Sequence, residues 1–413
     1  MDPVLKTDVL IVGAGPGGCS AALSLARHGV SACLVDRATF PRDKVCGDAL
    51  SGKVMRVLER LAPEVGEQLR MDGRQLPSWG VTFTAPGGRS LRVPFSRETG
   101  KGAAPGSIMP RFDFDALLLQ QVKHTPGTTL MEGISVDRFE RTAQGWLAGT
   151  NSKHRFEARM VIAADGANSH FARHIAGIPM EPRHHCAGVR AYFTGVQGLD
   201  PQGFIELIFL EELLPGYLWI FPLAGGRANV GLGLRSDVAR KRRTDLKGLL
   251  RHLLATHPSL KERFSHARME GAVQGLGLPL GSARRPLSGD GYLLVGDAGH
   301  LIDPFTGEGI SHAMISGMHA GEVAAKALEG PRGRPSARDL AEYDARVWRR
   351  LGKELSISTR LQQLANVPWL FNLVVGRAVK NPALADTISS MFNDLDMRAR
   401  LRQPSFYIKL LFG

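Results

Sequence analysis

Cysteine is scarce in this chain of 413 residues, which has four, at Cys19, Cys33, Cys46 and Cys186. No two of them form a Cys-x-x-Cys pair, so neither a zinc site nor a disulfide framework is indicated. The adjacent His184 and His185 have no carboxylate or cysteine at ligand spacing, and we expect no metal site. Few unpaired cysteines are typical of a reducing compartment, so we expect a cytoplasmic protein.

Long apolar runs are missing as well. No apolar stretch approaches the ~18 residues of a membrane span. The first apolar run, residues 9–12, breaks at Gly13 after only four residues, which is too short for a secretory signal peptide. These absences predict a soluble or surface-bound protein.

Acidic residues are in deficit: Asp and Glu number 39 against 52 Lys and Arg, giving a formal net charge of +13. This balance favours phosphates, diphosphate head groups or an anionic membrane face as partners, although a basic solvated surface explains it equally well. No nucleic-acid-binding motif accompanies the charge, and we expect no nucleic-acid partner. The apolar terminus FYIKLLFG, residues 406–413, either docks peripherally on the inner face of a membrane or packs on its own domain.

The most informative stretch is residues 9–36. Its first four residues predict a buried strand, and a G-x-G-x-x-G pattern follows before a helix. The pattern is formed by Gly13, Gly15 and Gly18. The N–H groups at the start of such a helix attract phosphate, and Asp36, at the end of a second apolar run, can accept ribose hydroxyls. The order of strand, glycines, helix, strand and acid predicts a bound dinucleotide rather than an ordinary β–α turn.

A second segment carries a related pattern. Residues 291–295 predict a strand that ends at Gly296-Asp297, and Gly307 and Gly309 frame the start of a long helix expected over residues 308–328. A carboxylate at a strand end can bind the hydroxyls of a polyol, and a helix start can stabilise negative charge on a ring. A ribityl chain carrying an isoalloxazine ring has both features. The alternative is a plain β–α turn with Asp297 as its cap.

With Asp165-Gly166 as a third signal, the chain resembles flavoproteins of the para-hydroxybenzoate hydroxylase fold over roughly residues 6–330. The resemblance implies that Asp36 and the three glycines hold the ADP half of FAD, Asp297 the ribityl chain, and residues 307–310 the pyrimidine edge. The cofactor-binding residues expected on this basis are Gly13, Gly15, Pro16, Gly18, Asp36, Arg37, Lys44, Cys46, Arg111, Asp165, Gly296, Asp297, Gly307, Gly309 and Ile310.

One position departs from the pattern of that group. The Asp-Gly motif there continues with Ser and, three residues later, Arg, whereas Ser169 is followed at that spacing by Ala172. Arg173 lies one residue further on. The nicotinamide-handling role that the resemblance implies for this motif is therefore weakened, and a purely structural role for Asp165 stays open.

Two further segments narrow the resemblance. Residues 41–52, PRDKVCGDALSG, look like the P-x-x-K-x-C-G segment of geranylgeranyl reductases, and residues 216–222, GYLWIFP, match their Y-x-W-x-F-P pattern. Enzymes of that family use FAD to saturate double bonds in prenyl chains. Flavin halogenases of the same fold carry W-x-W-x-I-P, where this chain has Tyr217 and Phe221. The resemblance implies a reductase rather than a halogenase.

Three residues are candidates for the chemistry itself. Tyr217, Trp219 and Phe221 occupy every second position of an expected strand, so their side chains line one face. That face is either a wall for a long apolar polyene or ordinary sheet core. Cys46 lies in a glycine-bearing loop that, by family analogy, is next to the isoalloxazine. Its thiol then either protonates the carbon opposite the hydride acceptor or is a packing residue.

The fold expected from these signals is α/β, with a Rossmann-like FAD-binding domain of the para-hydroxybenzoate hydroxylase type, an antiparallel β-sheet substrate domain and C-terminal helices. We expect a discontinuous FAD-binding domain over residues 1–75, 106–180 and 275–330. The substrate domain is expected over residues 76–105 and 181–274, and the helical region over residues 336–413.

The function expected is an FAD-dependent reductase that saturates C=C bonds of an isoprenoid or related polyene. NADPH or a ferredoxin is the external electron donor, and the sequence does not decide between them. The first alternative is a monooxygenase of the same fold acting on an aromatic or polyketide substrate, ahead of a flavin halogenase. The second is a non-enzymatic prenyl-lipid carrier.

Overall fold

The computed structural model describes residues 4–95, 102–150, 154–330 and 333–380. The terminal segment FYIKLLFG lies outside the described residues, as does the last part of the expected helical region over residues 336–413. The residue bounds expected for the three regions stay a prediction. Within the described ranges, no helix combines the length and apolarity that crossing a bilayer demands.

Eighteen strands occur in the described part of the chain. They are β1 (Val4–Val12), β2 (Ala32–Val35), β3 (Ala49–Leu50), β4 (Leu76–Ser78), β5 (Gly80–Thr84), β6 (Ser90–Pro94), β7 (Gly106–Ile108), β8 (Thr128–Met131), β9 (Arg138–Arg141), β10 (Trp146–Gly149), β11 (Arg155–Ala163), β12 (His185–Thr194), β13 (Ile205–Ile208), β14 (Tyr217–Leu223), β15 (Arg227–Arg235), β16 (Arg268–Pro279), β17 (Ser288–Gly289) and β18 (Tyr292–Leu294).

Ten α-helices accompany them in the same ranges. They are α1 (Pro16–Arg27), α2 (Gly52–Leu61), α3 (Pro63–Met71), α4 (Arg111–Lys123), α5 (His170–His174), α6 (Ser236–Arg242), α7 (Leu246–Thr256), α8 (Ile310–Leu328), α9 (Ala337–Leu364) and α10 (Pro368–Lys380). Short 3₁₀ turns connect several elements, including one at Gly296–Gly299.

An eight-stranded sheet with the order β17-β18-β11-β1-β2-β8 forms the first layer, and β10 and β9 extend it from β11. The four pairings from β18 to β8 are parallel. Val12 lies in register with Val35 of β2 and Ala163 of β11, and Ala163 with Leu294 of β18. The carboxyl ends of these four strands therefore meet at one edge, where ligands bind in open parallel sheets.

A seven-stranded sheet with the order β16-β12-β15-β14-β13-β5-β6 forms the second layer. All neighbouring strands in this sheet are antiparallel except β13 and β5. Strand β5 comes from a distant part of the chain and runs in the same direction as β13. A small antiparallel sheet of three strands has the order β3-β7-β4. The predicted α/β fold with an antiparallel sheet and C-terminal helices is confirmed.

One helix boundary differs from the sequence-based expectation. The helix expected over residues 308–328 begins at Ile310, because Gly307 has a φ of +72° and Gly309 has non-helical torsion angles as the N-cap. The segment after Asp165-Gly166 forms only the short helix α5, five residues long. Strands β5 and β6 pair in antiparallel fashion on either side of the turn at residues 86–88.

Helices α1 and α8 pack closely because small residues line their contact. A Cβ atom on Gly317 would overlap the carbonyl oxygen of Gly17, and one on Gly321 would overlap Ser24. The Ser24 hydroxyl donates to the Met318 carbonyl oxygen at 2.9 Å. This packing holds the start of α1, which follows the glycine pattern, beside the start of α8.

The Gly317→Ala variant should lose about 1–3 kcal/mol of unfolding free energy, the usual cost of overpacking a core, since the added methyl meets backbone and not a movable side chain. Urea unfolding measures this difference. The matched control is Gly73→Ala, where a Cβ atom meets nothing within 4 Å, and it should stay within about 0.5 kcal/mol of the parent. Equal stability of the two variants would contradict the packing described.

Candidate active site

The sequence-predicted residues lie along one groove made of three adjoining clefts. The glycine cleft contains Gly13, Gly15, Asp36, Arg37, Arg42 and Asp165. The central cleft contains Pro16, Lys44, Cys46, Arg111, Tyr217, Trp219, Asp297, Gly307, Gly309 and Ile310. The inner cleft contains Asp48, Ser51, Val81, Leu207 and Glu308.

The clefts are continuous because neighbours share lining residues. Lys44 and Leu276 line both the glycine cleft and the central cleft. Cys46, Phe221 and residues 307, 309 and 310 line both the central and the inner cleft. Gly13 and Asp36 therefore open into the same groove as Asp297. Of the expected site residues, Gly18 and Gly296 do not line it and lie behind it.

The three glycines of the first pattern have different surroundings. A Cβ atom on Gly13 would overlap the carbonyl oxygen of Ala164, and one on Gly18 would overlap the carbonyl oxygen of Gly13. A Cβ atom on Gly15 would instead point into the groove, where only the end of the Arg42 side chain comes within 4 Å, at 3.7 Å. Gly13 and Gly18 thus make the turn compact, and Gly15 leaves space for a ligand against the backbone, as a pyrophosphate requires.

Asp36 is fixed at the carboxyl end of β2 by the backbone. Its Oδ2 accepts a hydrogen bond from the N–H of Ala14 at 2.7 Å, and its Oδ1 accepts one from Ala38 at 2.8 Å. Because each carboxylate oxygen can accept a second bond, both remain available to hydroxyl groups in the glycine cleft. This arrangement fits the ribose of an adenosine.

Sequence reasoning missed Arg42, which lies in the glycine cleft. Its Nη1 is 2.7 Å from Oδ2 of buried Asp115, whose carboxylate also receives both Nε and Nη2 of Arg111 at 2.6 Å. Burial alone would raise the pKa of Asp115, but the two guanidiniums hold it below its usual value. Two guanidiniums share one carboxylate, so these three groups leave one positive charge beside the glycine pattern. Arg111 and the nearby Lys44 had been singled out from the sequence, but Arg42 had not.

Asp297 follows β18 and lies at the other end of the parallel edge. Its Oδ2 accepts a hydrogen bond from Nζ of Lys44 at 3.0 Å, so the two side chains meet where the glycine cleft joins the central cleft. Behind them, the Ser316 hydroxyl accepts a hydrogen bond from the N–H of Gly296 at 3.0 Å and anchors this turn to α8. The expected polyol-binding carboxylate therefore faces the groove.

The three aromatic residues of β14 share a face as their spacing predicts. Tyr217, Trp219 and Phe221 all line the central cleft, while the intervening Leu218 and Ile220 pack into the core on the other side of the sheet. Their polar atoms are satisfied: the Tyr217 hydroxyl donates to the Thr306 carbonyl oxygen, and Nε1 of Trp219 donates to Oδ1 of Asn229 at 2.9 Å. The wall therefore offers the groove mainly carbon surface.

The loop around Cys46 is held by Asn229, which is fully buried and was also missed. Its Nδ2 donates to the Cys46 carbonyl oxygen and to Oδ2 of Asp48, both at 2.7 Å. Burial raises the pKa of the Cys46 thiol above its ordinary value, so the thiol keeps its proton at neutral pH. Burial also raises the pKa of Asp48 to about 6, against hydrogen bonds from Asn229 and Tyr192.

The Asp165 side chain bonds to backbone groups that follow it closely in the chain. Its Oδ2 accepts hydrogen bonds from the N–H groups of His170 and Phe171, at 2.9 and 3.3 Å, and so satisfies the start of α5. Its side chain lies at the edge of the glycine cleft, away from Cys46 and Trp219, which line the central cleft. This geometry favours the structural role that the departure at Ala172 had left open.

Comparison with known proteins agrees with this geometry. Residues 6–214 match the family model described as FAD binding domain. The chain is 30% identical over 379 residues to menaquinone reductase of Mycobacterium tuberculosis, covering 88% of this chain and 85% of that protein. It is 30% identical over 332 residues to digeranylgeranylglycerophospholipid reductase of Thermoplasma acidophilum, covering 78% of each.

Solved structures show the same fold at lower identity. A geranylgeranyl bacteriochlorophyll reductase-like protein from Thermoplasma acidophilum has a TM-score of 0.78 and 23% identity, with 98% of each chain covered. A flavin-dependent brominase has a TM-score of 0.77 and 20% identity, with 98% of this chain and 99% of that chain covered. At these identities the likeness concerns the fold alone, which hosts different chemistries.

Fold and groove together define an FAD-dependent oxidoreductase of the para-hydroxybenzoate hydroxylase type. Within that class, the chain belongs to the geranylgeranyl reductase family. The residues of the groove fit the cofactor: Gly15 leaves the backbone open, Asp36 keeps acceptors free, and Asp297 faces the same channel. The roles of individual residues toward FAD stay predictions.

The surplus charge at Arg42 generates a prediction. Arg42→Gln should weaken binding of ADP to the apoprotein by about ten- to a hundredfold, the effect of losing one charged hydrogen bond of about 1.5–3 kcal/mol. Binding of adenosine, which has no phosphate, should change little. Isothermal titration calorimetry measures both.

The control is Arg60→Gln, which removes an exposed arginine that pairs with Glu322 on α8. It should leave ADP affinity unchanged. An Arg42→Gln protein that binds ADP as tightly as the parent would show that this guanidinium serves only Asp115.

Proposed function

We propose that this protein is an FAD-dependent reductase that saturates C=C bonds of an isoprenoid chain or a related polyene. The observation that carries the proposal is the aromatic wall of β14, which lines the central cleft together with Cys46 and the turn at residues 307–310. An apolar wall whose polar atoms are already bonded suits a hydrocarbon chain, because such a chain offers no hydrogen bonds in return.

The inner cleft extends the apolar surface beyond the wall. Phe221 lines both clefts, and Val81, Ile205 and Leu207 of the antiparallel sheet continue from it. The two clefts are continuous through Cys46, Phe221 and residues 307, 309 and 310. A long chain can therefore extend past the expected ring position instead of ending there.

FAD, when bound, supplies the hydride that this chemistry needs. The protein's own residues would hold and orient the reactants: Asp36 and Gly15 the adenosine and pyrophosphate, Asp297 the ribityl chain. Trp219 and Phe221 would orient the polyene and exclude water. Cys46 would hold the proton for the second carbon on Sγ, where burial keeps it protonated.

The relatives support this assignment of substrate class. The two curated relatives reported above are named for a menaquinone and for a digeranylgeranylglycerophospholipid. We therefore propose a hydrophobic prenyl lipid or quinone as the substrate. The external electron donor, NADPH or a ferredoxin, stays open.

The test compares lipids and quinones from cells with and without the gene by mass spectrometry. A product that gains two hydrogen atoms per event supports reduction. A product that gains one oxygen atom supports the alternative monooxygenase, as would a requirement for oxygen during turnover of the purified protein. A colourless protein that binds a prenyl lipid unchanged would support the carrier.

Cys46→Ala should lower the turnover number about a hundredfold, within the usual range for losing a general acid. FAD content and the absorption spectrum should stay near those of the parent, because the loop is held through the Cys46 carbonyl oxygen and not its thiol. Cys186→Ala is the control, since Cys186 is half-buried and lines neither the central nor the inner cleft. Undiminished turnover of Cys46→Ala would assign the proton to another group, with Asp48 the nearest acid in the inner cleft.

Peripheral contact with a membrane is proposed from α10 and the net charge. Trp369 is 67% exposed on this helix, and Arg377 is exposed two turns later, a combination suited to a bilayer interface. The protein should co-sediment with vesicles containing phosphatidylglycerol and less so after Trp369→Ser. Equal co-sedimentation of parent and variant would remove α10 from the contact.

A further inference from the structure

Four ionisable side chains form a buried cluster that the proposed chemistry does not use. Lys53 of α2, His312 of α8 and Glu354 of α9 are each at most 5% exposed. The fourth, Glu308, lies in the turn before α8 and lines the inner cleft. We call these four residues the lysine cluster. Buried charges of this kind are costly unless each is paired, so their pairing has to be accounted for.

Lys53 pairs with both carboxylates. Its Nζ is 3.2 Å from Oε2 of Glu308 and makes a short contact with Oε1 of Glu354. Oε1 of Glu308 accepts hydrogen bonds from the hydroxyls of Ser311, at 2.6 Å, and Ser51. Burial would raise the pKa of Glu308, but Lys53, His312 and the Ser311 hydrogen bond together outweigh it and lower that pKa to about 2. Glu308 is therefore an anion at neutral pH.

His312 completes the charge balance. Its Nδ1 is 2.7 Å from the carbonyl oxygen of Leu301, which can only accept, so Nδ1 carries a proton. Its Nε2 is 3.5 Å from Oε1 of Glu354, and a proton there faces the carboxylate favourably. Burial lowers the pKa of His312, but Glu354 outweighs it and raises that pKa. With an imidazolium, the cluster has two negative and two positive charges and is neutral.

The two glutamates and the histidine of this cluster also resemble the ligands of a metal ion, but here the positive charge between the carboxylates is the Lys53 ammonium. Ligand atoms of Glu308, His312 and Glu354 lie within 4.8 Å of one another. The Lys53 ammonium already bridges the two carboxylates. The cation of this cluster is therefore part of the chain.

The position of Glu308 gives the cluster a consequence for the groove. Glu308 precedes Gly309, the N-cap of α8, and residues 307–310 are the expected contact for the pyrimidine edge of the flavin. The N-terminus of a helix carries a partial positive charge that stabilises negative charge nearby. An unpaired carboxylate at this point would cancel part of that positive charge, because charges a few ångström apart in a poorly screened site interact strongly.

We propose that Lys53 is a positioning residue for the flavin. By neutralising Glu308, it preserves the positive end of α8 for the reduced ring, which carries more negative charge than the oxidised ring. The proposal rests on the flavin position in the proposed function but not on the identity of the substrate or reaction. Its consequence is a higher midpoint potential of bound FAD than the chain would have without Lys53.

The test is the two-electron midpoint potential of bound FAD, measured anaerobically by dye equilibration on purified holoproteins without substrate. Relative to the parent, the cluster loses one positive charge in Lys53→Met, keeps the parental net charge in Lys53→Met/Glu308→Gln and gains one unit of positive charge in Glu308→Gln. Lys53→Met should bind reduced FAD about tenfold more weakly relative to oxidised FAD, which corresponds to about 30 mV for two electrons. The double variant should recover most of this loss, and Glu308→Gln alone should have a potential at or above that of the parent.

The control is Lys326→Met, which removes an exposed lysine–glutamate pair with Glu342 near the other end of α8 and should leave the potential unchanged. A parental potential in Lys53→Met, or a double variant as low as Lys53→Met, would overturn the proposal, because a purely structural lysine is not rescued by removing Glu308. If Lys53→Met does not fold, a lowered potential in Glu308→Gln would overturn it. The potential is measured without substrate, so this test does not depend on the reaction that the protein catalyses. An oxygen-dependent reaction would contradict the proposed function without changing the measured potentials.

Discussion

The parallel register of β1 between β2 and β11 is the constraint on which the rest of the structure depends. It aligns Val12 with Val35 and Ala163, and through β11 with Leu294 of β18. The stretch that carries Gly13 and Asp36 and the distant segment that carries Asp297 thus end at one edge. If any one of these strands slipped by a residue, its side chains would reverse faces and the groove would lose a wall.

Close helix packing and buried charge then give this edge its chemistry. Helices α1 and α8 meet through glycines, which places two helix N-termini along the same groove. Their positive ends are supplemented by the surplus charge of Arg42 at one end, while Lys53 compensates Glu308 at the other. Positive potential is thus arranged where a pyrophosphate and a reduced ring would carry negative charge.

The fold does not by itself choose the reaction. A geranylgeranyl reductase-like protein and a brominase align to this chain with nearly the same TM-score. Since the fold is shared, the residues that the second sheet turns toward the groove have to carry the distinction. Here that surface is the carbon face of β14, whose Tyr217 and Trp219 have their polar atoms bonded elsewhere. The proposed reaction class therefore depends on this wall and on Cys46.

The sequence by itself determined the parts whose chemistry is local. The glycine pattern, the acids at strand ends and the alternation of Tyr217 with Trp219 follow from short-range geometry, since turns and strand faces need only neighbouring residues. Only the tertiary structure decided that Arg42 shares Asp115 with Arg111, that Asn229 holds the Cys46 loop, and that Lys53 meets Glu354 from a helix 301 positions later. Those pairings join residues with no common spacing, and they exist because burying each charge or amide requires a partner that only the folded chain brings within reach.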